Sequence, residues 1–412
     1  ESSLGDMLSL PKRLLVNAAA KHLKKMVPEY SLPGSINFLN CLQQGASCDY
    51  SKPQVTADDL VLLQYTGGTT GVAKGAMIQH KNLLSQVRQF KAREKQKDSQ
   101  GQVSVNPGHE ILICPLPLYH IYAFTVHCLA AVESGNHSVL ITDPRNVKAF
   151  IKGMKRWDFT ALVGINTLFV SLMESSEFSS VDFSHLKSTT SGGSALSSDT
   201  AKRWLEITGC HISEGYGLTE TSPTVCSNPT DGQGKPGTVG LPMTGTALKV
   251  VDDEGVELGF NEPGELCVKG PQVMAGYWQR PEASAEVLED GWLKTGDIAQ
   301  IDEDGYVSIV DRKKDMILVS GFNVFPNEIE DVISSHPKVE MCACVGVACE
   351  KSGETPKVFV VKNDASLTED ELKAHCRANL TGYKQPRHIV FRDALPMSTV
   401  GKILRKDLKE SA

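Results

Sequence analysis

The sequence predicts an α/β protein in which a large N-terminal domain of mixed sheets with helices carries a β-rich subdomain and is followed by a small α+β domain. Three observations predict it. Between Leu60 and Ile212, apolar runs (VLLQY, EILICPLPL, SVLIT, ALVGI) alternate with polar helical stretches, the pattern of parallel strands joined by crossover helices. Between Gly232 and Gly305 the texture changes to short strands separated by Gly and Asp turns, such as Val250-Val-Asp-Asp-Glu-Gly255 and Asp302-Glu-Asp-Gly305, which reads as an antiparallel subdomain. After Asp311 come a basic run, two helical patterns and β-rich runs including KVFVVK and HIVFRD. That mixture predicts a small α+β domain, with Thr368 and Glu371 spaced as a capping box for a helix through Leu380.

Ahead of these elements, residues 11 to 27 place Leu14, Leu15, Ala18 and Leu23 among Lys12, Arg13, Lys21, Lys24 and Lys25, an amphipathic helical pattern. Such a helix packs its Leu face on a core or touches an anionic membrane surface. The 412 residues correspond to two or three domains at about 150 residues each. With 41% hydrophobic and 22% charged residues, extensive disorder and fibrous repeats are excluded. Lys and Arg total 42 against 49 Asp and Glu, and a net charge of -7 disfavours nucleic acid as the main partner. No apolar run reaches the roughly 18 residues of a membrane span, and the start lacks the pattern of a signal peptide. The 11 cysteines include no CxxC pair and read as reduced residues of an intracellular protein. Cys342, Cys344 and Cys349 lie in an apolar run, where strand packing fits better than zinc.

The chemistry-bearing motifs begin with Tyr65-Thr-Gly-Gly-Thr-Thr-Gly-Val-Ala-Lys-Gly75. Flexible backbone N–H groups, hydroxyls and the Lys74 cation suit a polyphosphate, although the spacing is not that of a Walker loop. Ser191-Gly-Gly-Ser-Ala195 follows a strand-like run, where missing side chains let a flat base approach the backbone. Gly215-Tyr-Gly-Leu-Thr-Glu-Thr-Ser-Pro223 follows another and offers an aromatic face, a hydroxyl and a carboxylate within five residues. Each motif alone also fits a flexible turn or a solvated side chain. Their recurrence along one chain favours a nucleotide site.

The first and third of these motifs, with Gly291-Trp-Leu-Lys-Thr-Gly-Asp297, Asp311-Arg-Lys-Lys-Asp315 and Pro396 to Arg405, resemble in order the core motifs of the adenylate-forming acyl-CoA synthetases. The segment Asp290 to Lys314 is most similar to bacterial long-chain fatty-acid CoA ligases. The resemblance implies a large AMP-binding domain over residues 1–313 and a small, mobile C-terminal domain over 314–412. It also implies a two-step reaction. A fatty carboxylate attacks the α-phosphate of MgATP to give acyl-AMP and pyrophosphate, and the thiol of coenzyme A then displaces AMP. Such chemistry rests on alignment and charge stabilisation and needs no protein nucleophile.

Position by position, the resemblance makes Thr66, Gly67, Gly68, Thr69, Thr70, Gly71 and Lys74 the loop that holds the β- and γ-phosphates. Gly193, Ser194 and Ala195 become the adenine-binding backbone, with Gly215, Tyr216 and Gly217 beside the base. Thr219 bonds the α-phosphate; Glu220, with Thr66, holds Mg²⁺. Asp297 takes the ribose hydroxyls with Arg312 assisting. Lys402 bridges the carboxylate and α-phosphate during adenylation, and His120 orients the acid or gates its pocket. Lys314 is the hinge about which the small domain swings, and Gly321 then lines the pantetheine path.

Within the same family an aryl-acid ligase of the coumarate type is an alternative, because PLYHIYAF is also similar to those enzymes, and a carrier-protein-loading adenylation enzyme is another. Outside it, the alternative is a fragment that binds nucleotide or acyl groups without turnover. Lys402, Glu220 and Asp297 together favour a working site. Relatives carry a substantial stretch before the position matching Glu1, so the first part of the N-terminal domain is expected to lie outside this chain. The resemblance further implies a cytoplasmic enzyme with peripheral contact at the inner membrane face and a homodimeric form.

Overall fold

Residues 8–25, 27, 31–66, 73–95, 105–229, 234–398 and 401–410 are described by a computed structural model. The chain divides into two units, Glu1–Thr56 and Ala57–Ala412. In the first, Pro11 opens helix α1 (Leu10–Ala18), which runs on as a π-helical turn over Ala19–Leu23. Helix α2 (Phe38–Ala46) is capped by Asn37, whose side chain accepts from the backbone N–H groups of Leu39 and Asn40.

The second unit opens with a hairpin. Strand β1 (Leu60–Tyr65) contains VLLQY and pairs antiparallel with β2 (Gly75–Gln79), not with the parallel strands that the alternation predicts. Across the open end of this pair the Thr66 N–H donates to the Lys74 carbonyl at 2.9 Å. Helix α3 (His80–Glu94) follows.

The other runs do form a parallel core. Strands β3 (Ile111–Cys114), β4 (His137–Leu140), β5 (Ala161–Gly164), β6 (Ser188–Gly192) and β7 (Ile212–Gly217) lie in the order β4-β3-β5-β6-β7, all parallel. Antiparallel β8 (Thr224–Ser227) and β9 (Leu241–Pro242) extend the sheet. The period of two along each strand decides what each face does. Ile113, Leu162 and Thr189 point to one side. There Phe150, Phe169 and Trp204 are buried, carried by the crossover helices. Each buried Phe contributes roughly 1.5–3 kcal/mol.

Leu112, Ala161, Val163, Ser188, Thr190 and Gly192 point to the other side and line a cleft. Its opposite wall is a helical segment made of α4 (Ile121–Ala123), a π-helical stretch (Phe124–Ala130) and α5 (Ala131–Glu133). The crossover helices are α6 (Val147–Met154), α7 (Asn166–Met173) and α8 (Ser198–Thr208).

The β-rich subdomain is a five-stranded antiparallel sheet of β10 (Ala247–Val251), β11 (Gly264–Lys269), β12 (Leu288–Glu289), β13 (Trp292–Ile301) and β14 (Val307–Arg312), with helix α9 (Pro281–Val287) before β12. Asn82 on α3 pins it, donating to the carbonyls of Pro271 and Val273, while Gln86 donates to that of Thr224 on β8 of the parallel-core sheet.

The last sheet comprises β15 (Ile317–Val319), β16 (Phe322–Val324), β17 (Val339–Cys349), β18 (Gly353–Lys362) and β19 (His388–Phe391), flanked by α10 (Pro326–Ser334), α11 (Glu369–Asn379) and α12 (Arg405–Glu410). KVFVVK and HIVF are its parallel neighbours β18 and β19. Cys342 and Cys344 are buried in its core with Ile329, Ile333 and Cys376. Thr368 accepts from the Glu371 N–H at 3.2 Å, while the Glu371 carboxylate pairs with Lys338 at 2.9 Å instead of closing the capping box. Among the described residues no helix is long and apolar enough to cross a membrane.

Candidate active site

Parallel sheets expose the ends of their backbones at the carboxyl edge, where chains that leave neighbouring strands open a crevice. Here Gly193, Ser194 and Ala195 leave β6, and Leu218, Thr219 and Glu220 leave β7; all line one cleft of about 2260 Å³. Gly217 is fixed by crowding, because a side chain there would overlap the Pro223 carbonyl.

Antiparallel register builds the next part. Opposite Asp297 on β13 stands Arg312 on β14. The Arg312 Nε lies 3.6 Å from Asp297 Oδ1, and the Tyr216 hydroxyl donates to Asp297 Oδ2 at 2.6 Å. Burial pushes the Asp297 carboxyl up, against the downward pull of Arg312, Tyr216, Lys314 and Lys402. Burial also raises Tyr216, reinforced by the Asp297 charge, which keeps this hydroxyl a donor.

Lys402 arrives from the far end of the chain on a short hairpin. Met397 bridges Ile403, and the Ser398 N–H donates to the Lys402 carbonyl at 2.8 Å. Its return arm is held by Arg405, which forks onto both carboxylate oxygens of Glu330 at 2.8 Å and donates to Asn327 Oδ1 at 2.7 Å. The Lys402 side chain reaches Gly193, where an added Cβ would lie 3.4 Å from its Cε. Burial draws the Lys402 ammonium down to about 8, assisted by the Arg312 charge and opposed by Asp297 and Glu220.

His120 precedes α4, and its Nδ1 accepts from the Tyr122 N–H at 3.3 Å, which leaves the ring proton of the neutral form on Nε2. Burial, then the Lys402 charge, draws His120 down to about 4, so it is neutral near pH 7. The Tyr122 ring packs on Gly192, within 3.2 Å of where a Cβ would stand.

On the loop side, the Tyr277 hydroxyl donates to Glu220 Oε1 at 2.7 Å, and the Lys74 ammonium lies 5.0 Å from the centre of the same ring. Thr66 lines the cleft at the hairpin neck, its hydroxyl 3.4 Å from the Lys74 carbonyl. Gly67, Gly68, Thr69, Thr70 and Gly71 lie outside the described residues. Thus one cleft gathers Thr66, His120, Gly193, Ser194, Ala195, Gly215, Tyr216, Gly217, Thr219, Glu220, Asp297, Arg312, Lys314 and Lys402. Gly321 is not among its lining residues; it sits at the tip of the β15–β16 hairpin with a φ of 87°.

The sequence profile of the AMP-binding enzyme family matches residues 9–278, and that of the AMP-binding enzyme C-terminal domain matches residues 328–402. The chain belongs to the AMP-binding enzyme family.

Relatives of this AMP-binding enzyme include the long-chain-fatty-acid–CoA ligase of Salmonella typhimurium, 51% identical over 409 residues, which are 99% of this chain and 72% of that protein. The enzyme of that name from Escherichia coli O157:H7 is 50% identical over the same shares. A feruloyl-CoA synthase from an Amycolatopsis species is 36% identical over 86% of this chain and 70% of its own length. Among solved structures, ATP-bound MatB from Rhodopseudomonas palustris superposes with a TM-score of 0.81 at 33% identity, over 90% of this chain and 72% of that one.

The motif reading gives no role to three residues: Tyr122 and Glu214, which line the cleft, and Tyr277, which donates to Glu220 from outside its lining. Tyr277 lies in Met-Ala-Gly-Tyr-Trp, far in sequence from the carboxylate it meets, and Tyr122 lies in PLYHIYAF, where only His120 carries an expected role. Glu214 lines the cleft one residue before Gly215, and burial, against the backbone N–H groups of Leu196 and Gly237, raises its carboxyl to about 7.

Proposed function

We propose that this AMP-binding enzyme ligates long-chain fatty acids to coenzyme A through an acyl-adenylate, releasing AMP and pyrophosphate. The observation that carries this reading is the 51% identity, over 99% of the chain, to a long-chain-fatty-acid–CoA ligase. The aryl-acid alternative rests on a weaker likeness, 36% over 86% of the chain.

In the first step a carboxylate oxygen of the fatty acid attacks the α-phosphorus of ATP, an acyl–phosphate bond forms, and the bond to the leaving pyrophosphate breaks. Lys402 sits between the two anions and stabilises the charge that gathers as they approach. Thr219 donates to the α-phosphate, and Lys74, with Thr66, Gly67, Gly68, Thr69, Thr70 and Gly71, holds the leaving phosphates. The ribose hydroxyls exchange for Tyr216 on Asp297, beside Arg312, while the base lies along Gly193, Ser194, Ala195, Gly215, Tyr216 and Gly217. Neutral His120 presents its Nε2 proton to the acid.

The acyl chain lies between the sheet face of Leu112, Ala161, Val163, Ser188 and Thr190 and the helical wall of Val126 and Ala130. From Ser188 to Gly192 that face runs about 13 Å at roughly 3.3 Å per residue. Magnesium binds with few protein ligands when substrate phosphates supply the rest. A single carboxylate, Glu220, with Thr66 lining the same cleft, suits that arrangement. The ion would neutralise the triphosphate.

In the second step the coenzyme A thiol attacks the acyl carbonyl, AMP leaves, and the thiol proton passes to solvent. The domain carrying Lys402 turns about Lys314, and Gly321 comes to line the pantetheine path. Peripheral contact at the inner membrane face through the basic residues between Lys12 and Lys25, and a homodimer, belong to the same reading. The test is acyl-CoA formation with MgATP and CoA across octanoate, palmitate, oleate and coumarate. Product from palmitate and oleate is expected; product from coumarate alone would replace the fatty-acid reading with the aryl-acid one.

A further inference from the structure

Lys402 can act only if its hairpin is docked against the body of the α/β core, so the groups that dock it are part of the adenylation apparatus. Three contacts lie along this seam, each joining residues far apart in sequence. The Thr167 hydroxyl, on the first turn of α7, donates to the Gly401 carbonyl at 3.0 Å. Gly401 has a φ of 78°, and an added Cβ would stand 2.7 Å from Ile165 Cδ1, so the hairpin approaches α7 as closely as a backbone can. On the other flank, the Asp331 carboxylate of α10 accepts from the Ser198 hydroxyl at 3.2 Å and lies 3.5 Å from the Ser198 N–H. Ser198 is the first residue of the eleven-residue helix α8, where free N–H groups and the helix dipole favour a negative charge.

We propose that Thr167 and Asp331 are positioning residues for Lys402: they hold its hairpin and α10 against the starts of α7 and α8 and so set the fraction of enzyme poised for acyl-adenylate formation. Neither touches the cleft's reacting atoms. Both contacts are small and lie at the edge of the cleft, so the seam holds Lys402 in place yet releases it. Inside the domain that carries Lys402, the buried Arg405–Glu330 fork keeps the hairpin in shape; the seam decides where that shape sits. The inference rests on the role of Lys402 proposed above.

The test uses Thr167→Val, which keeps the side-chain shape, Asp331→Asn, which keeps its size, and the two together. A hydrogen bond of this kind changes a two-state balance by roughly 3- to 10-fold. Palmitate-dependent pyrophosphate release is expected to slow by that factor in each single variant and further in the pair, with KM for ATP, melting temperature and thiolysis of supplied palmitoyl-AMP unchanged. A second readout needs no turnover. Mass-spectrometric labelling of Lys402 by an amine-acylating reagent should be several-fold faster in the double variant than in the wild type. Unchanged release and unchanged labelling in the double variant would overturn the proposal, as would equal loss of both half-reactions. If the wild type activates no acid, the failure belongs to the fatty-acid reading, and the labelling rates alone decide the seam.

Discussion

Asp297 and Lys402 act on each other across one cleft, yet they are supported in opposite ways. Asp297 lies within a ten-residue strand, its register with Arg312 is set by the β13–β14 ladder, and the Tyr216 hydroxyl fixes its second oxygen. Lys402 stands on a hairpin of a few residues held by the Arg405 fork and the Thr167 hydroxyl. The difference separates binding from delivery. On the proposed reading, the groups that would hold the nucleotide are built into sheet ends, and the charge required for one chemical step is brought by a short hairpin.

Breaking each side in turn sharpens that comparison. The largest effect is expected from Lys402→Ala, which should lower the rate of adenylation by roughly 10²–10³-fold, since it removes the charge aimed at the transition state. ATP binding, read by KM or calorimetry, should change little.

Asp297→Asn attacks the other side. It should weaken ATP and AMP binding by roughly 10- to 100-fold, the worth of charge-assisted hydrogen bonds, with a smaller effect on the rate at saturating ATP. A normal nucleotide affinity in this variant would remove Asp297 from the ribose site.

The pH profile separates the two as well. Burial lowers Lys402 to about 8 in the free enzyme, so its charge is present below that pH and lost as pH rises through it. Adenylation kcat/KM should therefore fall above about pH 8. At saturating ATP the fall should lie higher, because bound phosphate stabilises the ammonium. Identical profiles for kcat and kcat/KM would contradict this.

Glu220→Ala should raise the Mg²⁺ concentration needed for half-maximal pyrophosphate release while sparing fatty-acid binding. The smallest effect is expected from Tyr277→Phe, which leaves Glu220 in place without one donor; a loss of roughly 10-fold in the same Mg²⁺ titration corresponds to about 1.4 kcal/mol. An unchanged titration would make that hydrogen bond structural only.

What the sequence reveals follows the same division. Parallel strands with crossover helices were legible in EILICPLPL and ALVGI because buried strands leave continuous apolar runs. VLLQY has the same texture but a different partner, since only the return of the chain after Thr66 decides that it forms a hairpin. Tyr216, Thr219 and Glu220, clustered in one short motif, and Asp297 in another, were singled out by resemblance, since spacing alone leaves Glu220 an ordinary carboxylate. Tyr277, Thr167 and Asp331 were not. Each makes its contact with a residue 57, 234 or 133 positions away, and no local pattern records such a pairing.

The most direct measurement runs both half-reactions on one preparation of Lys402→Ala: pyrophosphate release from palmitate and MgATP, and palmitoyl-CoA formation from supplied palmitoyl-AMP and CoA. The account predicts that the first collapses and the second proceeds at close to the wild-type rate, because the nucleotide cradle is intact without the delivered lysine. Equal loss of both would mean that Lys402 supports the site as a whole, and the separation of binding from delivery would be wrong.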